Sequence, residues 1–387
     1  MEIDMLEDPK CTVIKVVGVG GAGGNAVQHM INKGVCGVEF IVANTDAQAL
    51  TLSSAHNLIQ IGETGLGAGM QPSLGRQLAE ETRNRIEDAL AGAHMVFIAA
   101  GMGGGTGTGA APVVAQVAKE LGALTVAVVS KPFSYEGQKC MEIANEGLEE
   151  LSKNVDSLIV ILNEKLEEIY EDDTIKEWFQ HADDVLNNAV AGIAEIINVP
   201  GHVNVDFNDV KTIMAEQGKA MMGTAVADGD GRARIAAQQA ISSPLLDGVN
   251  LSGAKGVLVN VTGSSSLKGK ETKEVMRTVR EFAADDASIA LGLAVDESMG
   301  DKIRVTVVAT GLGRNKPKLI NQIISKKTGT YNEDLEKNEE IKKSPNFDSE
   351  KTPQVWKKNV AIETVKGMER NGMELYDIPA FLRRQAD

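Results

Sequence analysis

Gly103-Gly104-Gly105-Thr106-Gly107-Thr108-Gly109 packs five glycines and two hydroxyls into seven residues. It lies between the apolar run Met95-Val96-Phe97-Ile98-Ala99-Ala100 and a segment with Val114, Val117, Ala118 and Leu121 at i, i+3, i+4 and i+7. The first reads as a strand without polar alternation and the second as an amphipathic helix. A glycine loop between strand and helix leaves backbone amides unobstructed at the positive end of the helix, which suits phosphate. Thr106 and Thr108 add hydroxyls that can reach a β- or γ-phosphate or a metal.

The same arrangement occurs earlier in the chain. The β-branched run Thr12–Val17 predicts a strand, Gly18-Val19-Gly20-Gly21-Ala22-Gly23 fits GxGxxG, and a helix-compatible stretch runs from Asn25 to Ile31. Alone, this motif reads either as a tight turn or as a Rossmann dinucleotide site with Asp46 on the ribose. Further strands are predicted at 38–43, ending in Asn44-Thr45-Asp46, and at 124–129 and 157–162. Strands lacking alternation and separated by helices predict a parallel sheet covered on both faces, hence an α/β, Rossmann-like domain. Both glycine clusters then lie at the C-terminal edge of that sheet, and two phosphate cradles converge. A dinucleotide's pyrophosphate needs only one, which weighs against a nicotinamide-dependent oxidoreductase. No GxxxxGK[ST] occurs, so a P-loop is absent. Gly65-Leu66-Gly67-Ala68-Gly69 is either a flexible connection or a third loop that closes over the phosphates.

Composition sets the outer bounds. With 387 residues, 43% hydrophobic and 24% charged, the chain has material for two or three cores. A net charge of -15 argues against nucleic-acid binding and against direct membrane insertion or attraction. Cys11, Cys36 and Cys140 match neither a disulfide framework nor a zinc site, and the acidic start Met1–Pro9 lacks the features of a secretory signal. These features predict a cytosolic protein. Five histidines show no metal-ligand spacing, and no Ser/His or Cys/His pairing can be argued.

Boundaries follow the pattern changes: an α/β domain over 1–173, one long helix over 174–200, a smaller α/β domain over 201–313, a solvated linker over 314–373 and a terminal peptide over 374–387. The long helix rests on Phe179, Ala182, Leu186, Val190, Ile193 and Ile197, with Pro200-Gly201 as its stop. In the smaller domain, strands near 287–295 and 302–310 could pair as a hairpin across Ser298–Asp301. The loop Asn204-Val205-Asp206-Phe207-Asn208-Asp209 precedes a helix predicted to start near Val210. Asp209 is there either an N-cap or, with Asp206, one of two carboxylates that position a water.

Taken in order, Gly18–Asn25, Asn44-Thr45-Asp46, the 103–109 loop and the 204–209 loop resemble the signature of the tubulin/FtsZ superfamily. Gly65–Gly69, Ser243-Pro244-Leu245-Leu246 and the terminal Tyr376–Asp387 are similar to its FtsZ branch. The resemblance implies a GTP-binding domain, a central helix, a second domain, and head-to-tail homopolymers that form the bacterial division ring at mid-cell. It implies GTP/GDP binding with Mg²⁺ and hydrolysis at a site completed by the neighbouring subunit. Carried over, Gly20, Gly21, Ala22, Gly23, Gly24, Asn25, Asn44, Ala68, Gly69, Gly104, Gly105, Thr106, Gly107 and Thr108 would surround the phosphates. Glu136 would meet the ribose, Asn163 and Asp184 the guanine, and Phe179 would stack on it. Asn204, Asp206 and Asp209 would serve catalysis. Cys140 stands where the family usually has a nucleotide-contacting Arg. The 376–387 tail, anchored by Ile378, Phe381 and Leu382, would dock on FtsA-like or ZipA-like membrane tethers. A scaffold that keeps the fold but does not hydrolyse nucleotide is the other reading the residues leave open.

Overall fold

The computed structural model describes residues 12–198, 205–215, 219–242, 254–284 and 286–312. The expected linker and tail, Asn204 and Cys11 lie outside them.

β1 (Ile14–Val19) is buried at all six positions, as a strand with both faces covered must be. It is followed by α1 (Gly20–Asn32), β2 (Glu39–Asn44), α2 (Ala47–Thr51), β3 (Asn57–Gln60), α3 (Pro72–Glu81), α4 (Arg83–Leu90) and β4 (Met95–Gly101). Next come α5 (Thr106–Glu120), β5 (Leu124–Lys131), α6 (Gln138–Asn154), β6 (Ser157–Leu162), α7 (Asn163–Ile169) and α8 (Ile175–Asn198). The strands pair in parallel in the order β3-β2-β1-β4-β5-β6. Alternate residues feed two cores. Val16, Phe97 and Val126 join α1 and α8 on one face, while Val17, Ile98 and Ala127 join α5 on the other.

The second half contains α9 (Phe207–Met214), β7 (Lys219–Ala227), α10 (Arg232–Ile241), β8 (Gly256–Gly263), α11 (Gly269–Arg280), β9 (Ser288–Val295) and β10 (Ile303–Leu312). β7 adds to β6 in parallel through two residue pairs, so ten strands run in one sheet ending β7-β10-β8-β9.

Three sequence expectations are corrected. First, β9 and β10 do not form a hairpin: β10 lies antiparallel between β7 and β8, and β9 pairs in parallel with β8 on its far side. The crossover β8-α11-β9 places β9 at the edge, one strand away from β10. Second, the glycine cluster is not a loop ahead of the helix, because α1 already starts at Gly20. Third, α9 starts at Phe207 rather than near Val210, because Asp206 and not Asp209 is its N-cap, accepting from the Asp209 amide at 2.8 Å.

Candidate functional site

The two glycine clusters meet at the C-terminal edge of the parallel sheet. β1 ends at Val19 beside Ala43 of β2 and Ala100 of β4, so α1 and α5 start side by side. Their contact tolerates no side chain: a Cβ at Gly20, where φ is +75°, would lie 2.9 Å from the Gly107 nitrogen. Gly23 is packed as tightly from below, since a Cβ there would fall 2.2 Å from the Ala99 carbonyl oxygen. Gly21 and Gly104 differ, because a Cβ at either would meet nothing within 4 Å. Two kinds of glycine share the cluster: those that let the helices touch and those that face open space.

The electrostatics of this edge call for an anion. Neither α1 nor α5 has a side-chain cap or an acidic residue in its first turn. Their uncapped amides and aligned dipoles put two positive helix ends together without a protein counter-charge. α2 and α9 are finished differently, with Asp46 and Asp206 as N-caps. Asp46 accepts from the Gln48 and Ala49 amides at 2.8 and 3.3 Å, a capping use that differs from the ribose contact of the dinucleotide reading.

Two further segments close in. The Thr45 and Thr106 hydroxyls are 2.6 Å apart. Gly67 donates to the Thr45 carbonyl and Ala47 to that of Gly65, and Asp46 bridges Leu66, which stitches the 65–69 loop to the end of β2. Ala68 is buried and packs where a Cβ on Gly105 would be 3.1 Å away. Asn44 is buried, its side-chain oxygen accepting from the Asp46 amide. Thr108 is buried too, and its hydroxyl accepts from the Gly103 amide at 2.9 Å, so it shapes the loop from inside. Ala22 and Asn25 are exposed on α1, while Gly24 is half-buried.

One flank of the cradle is aromatic. Phe133 stacks on Tyr135 and Trp178 and meets Phe179 edge-on at 5.2 Å, and its amide donates to Glu136 Oε1. Phe179 is the exposed member of the apolar series on α8, presenting a ring at the end where a planar base can stack. Cys140 adjoins the second glycine loop, its carbonyl oxygen 3.0 Å from where a Gly103 Cβ would stand. Asn163 opens α7 at the end of β6, buried, with its side-chain oxygen lacking a partner among the described residues. An orphaned buried acceptor beside a cradle is what an incoming donor would satisfy. Asp184 accepts from His29 at 2.8 Å and lies 3.3 Å from the Lys33 ammonium, both on α1. Its neighbour Asp183, absent from the sequence reading, stands one helical turn from Phe179 and therefore on the same face. Burial raises its pKa to about 6, with His29 lowering it and Asp184 raising it. The i, i+4 spacing to Phe179 was the available signal. Thr45 and Phe133 were missed as well, although the scarcity of aromatics made Phe133 and Tyr135 worth noticing.

Asp206 and Asp209 are elsewhere. Phe207 of α9 packs edge-on against His94, which precedes β4 and binds the Val13 amide ahead of β1. That is the N-terminal edge of the sheet. β4 spans seven residues from there to Gly101, which at about 3.3 Å per residue puts roughly 20 Å between the two acidic residues and the cradle. Both aspartates are exposed.

Residues 13–171 match the Tubulin/FtsZ family GTPase domain, and residues 218–313 match the FtsZ family C-terminal domain. The chain belongs to the FtsZ family. It is 51% identical over 381 residues to the cell division protein FtsZ of Buchnera aphidicola subsp. Schizaphis graminum, covering 97% of each chain. To the FtsZ of Pseudomonas aeruginosa it is 50% identical over 382 residues, again with 97% of each covered. A solved structure described as an empty FtsZ dimer from M. jannaschii aligns with TM-score 0.75 and 44% identity, covering 78% of this chain and 88% of the other. As an FtsZ-family member, the chain is a tubulin-like, polymerising GTPase of cell division. No helix among the described residues is long and apolar enough to cross a membrane.

Proposed function

We propose that GTP is bound at the α1/α5 edge of one subunit and hydrolysed only when Asp206 and Asp209 of the next subunit are brought against it head to tail. The observation that carries this is the separation of roughly 20 Å, along the strands, between cradle and carboxylates in one chain. Side chains so placed cannot act on one phosphate within a monomer, whereas stacking two sheets end to end brings them together. Phosphoryl transfer asks mainly for a positioned water and stabilised charge, which two exposed carboxylates and two helix ends supply.

Within the cradle, the amides of Gly20–Gly23 and Gly104–Thr108 bind phosphate, with Ala68 and Gly69 closing one side. Glu136 faces the ribose. Phe179 stacks on the base, and Asn163 with the carboxylates of 183 and 184 reads it as guanine. Mg²⁺ belongs to the same reading: it keeps few protein ligands and takes phosphate oxygens, with the Thr45 and Thr106 hydroxyls available as protein donors. Asn204 joins Asp206 and Asp209 on the opposite face. The domain division at 173, 200 and 313, a cytoplasmic location at the mid-cell ring, and docking of the 376–387 tail on FtsA-like or ZipA-like tethers complete the proposal. Its support is the order of the motifs and the acidic composition.

The test is phosphate release from GTP with Mg²⁺ against protein concentration, with sedimentation of the same samples. Hydrolysis and pelletable polymer should share one threshold concentration. Hydrolysis proportional to protein from the lowest concentration would place the complete site within one subunit.

A further inference from the structure

The loop that follows α1 is tied to α8 at both of its ends. The Lys33 ammonium lies 3.3 Å from Asp184, and the Asn198 side chain donates to the Gly37 carbonyl oxygen at 2.6 Å. Beneath the loop is a cavity of about 360 Å³, a size that takes a small molecule. Lys33 and Cys36 of the loop, Asp184, Asn187 and Glu195 of α8, and Arg304 of β10 line it. None of the residues assigned to the phosphates is among them.

Three of these side chains have bonding capacity to spare. Asn187 is only 9% exposed; its Nδ2 donates to Asn188 Oδ1 at 3.5 Å, and its Oδ1 has no partner among the described residues. A buried acceptor left in this state is satisfied by an incoming N–H. Arg304 holds both oxygens of Glu195 through Nη2, at 3.1 and 3.0 Å, so Nε and Nη1 are unengaged among the described residues. The Lys33 ammonium has three protons to donate and is paired with Asp184 alone among the described residues. The two cations call for carboxylates, while Asn187 and the carboxylates of α8 call for amide or ammonium N–H groups.

The remaining group is a nucleophile. Cys36 is a free, exposed thiol whose S–H donates to the Gly34 carbonyl oxygen at 3.2 Å, which fixes the sulfur on the same loop as Lys33. Glutathione carries every matching part: carboxylates, an ammonium, amide N–H groups and a sulfur. We infer that Cys36 is a site of S-thiolation by glutathione, which this cavity holds with its carboxylates on Lys33 and Arg304 and its N–H groups on Asn187 and Glu195. The step is thiol–disulfide exchange. Cys36 gives its proton to water, its thiolate attacks one sulfur of glutathione disulfide, and the old S–S bond breaks as the new one forms. The departing glutathione takes the electron pair as a thiolate and is protonated by water, so one thiol replaces another. Excess reduced glutathione runs the step backwards. The adduct stands where Glu195 of α8 meets Arg304 of β10, which gives the thiol redox state a hold on that contact.

The experiment is the rate of adduct formation on Cys36 of the full chain, read by peptide mass analysis over a series of glutathione disulfide concentrations. Bis(2-hydroxyethyl) disulfide, which has the reactive bond without the charges, is the comparison. The glutathione rate should saturate with concentration in the folded chain, and its ratio to the neutral-disulfide rate should be about tenfold higher there than in the urea-unfolded chain, from two charge-assisted bonds. Asn187→Leu and Arg304→Met should each lower the glutathione rate severalfold and leave the neutral-disulfide rate unchanged. A rate that stays linear in glutathione disulfide, with the same ratio folded and unfolded, would overturn the inference and leave Cys36 an exposed thiol only. A preference that survives both substitutions would overturn it as well, by placing the binding outside this cavity.

Discussion

Gly21 and Gly23 stand two residues apart at the start of α1, and replacing each by alanine separates the two uses of glycine at this site. A Cβ at Gly21 would have no heavy atom within 4 Å. Alanine in a helix is favoured over glycine by about 0.5–1 kcal/mol, so Gly21→Ala should raise the stability of the nucleotide-free chain by that amount. The same methyl stands among the uncapped amides, where phosphate oxygens must come within hydrogen-bonding distance. Losing one or two amide bonds to a charged oxygen costs about 1.5–3 kcal/mol, or roughly tenfold to a hundredfold in affinity for GTP. Gly23→Ala should do the opposite. Its Cβ would fall 2.2 Å from the Ala99 oxygen in β4, and α1 cannot retreat without lifting Ala26, Val27 and Met30 from the core. Overpacking of this kind costs about 1–3 kcal/mol or more. Urea unfolding of the nucleotide-free proteins, together with equilibrium titration of a fluorescent GTP analogue, reads both quantities. A Gly21→Ala protein that binds GTP as tightly as the parent would show that the open space over α1 is not the phosphate site.

Two other substitutions follow from the same geometry. Asp209→Ala should leave GTP binding by the unassembled chain intact and lower hydrolysis by orders of magnitude, and Asp206→Ala should do the same while also costing about 1 kcal/mol of stability as a lost N-cap; parallel titration and phosphate-release assays check both. Burial raises the pKa of Asp183 to about 6 from 3.8, so in the nucleotide-free chain ionising this carboxyl costs more folded than unfolded. The resulting penalty is absent below about pH 4, grows as pH rises and is complete above about pH 6. Asp183→Asn should therefore be more stable than the parent by about 3 kcal/mol at pH 7, with the advantage vanishing at pH 4 in urea titrations.

Much of the α/β core was legible because parallel strands buried on both faces advertise themselves as apolar, β-branched runs, as Met95–Ala100 does throughout and Ile14–Val17 does but for Lys15. What escaped was set by tertiary contact. Gly20, Gly21, Gly23 and Gly24 have poor helix propensity yet lie in the first turns of α1, where at Gly20 and Gly23 only glycine lets that helix approach Gly107 and Ala99. The β9/β10 hairpin fitted local turn chemistry, but sheet order depends on how α11 crosses over, which no short-range pattern records. At the site, both halves of the cradle were visible as glycine clusters. The aromatic flank was not, since Phe133 and Phe179 are 46 residues apart and meet only through folding. Asp206 and Asp209 were visible as residues, but their place at the opposite edge of the sheet emerged only from the packing of Phe207 on His94.

The central claim, that one chain's cradle works with another chain's carboxylates, is tested most directly by mixing two inactive variants. One is Asp209→Ala, which keeps the cradle; the other is Gly21→Val/Gly104→Val, which keeps the carboxylates and fills the cradle. In a random head-to-tail copolymer of equal parts, about a quarter of the interfaces join an intact cradle to an intact pair of carboxylates. Phosphate release should reappear in the mixture and follow the product of the two concentrations. A mixture no more active than the sum of its parts, although both variants enter the same sedimenting polymer, would contradict the account.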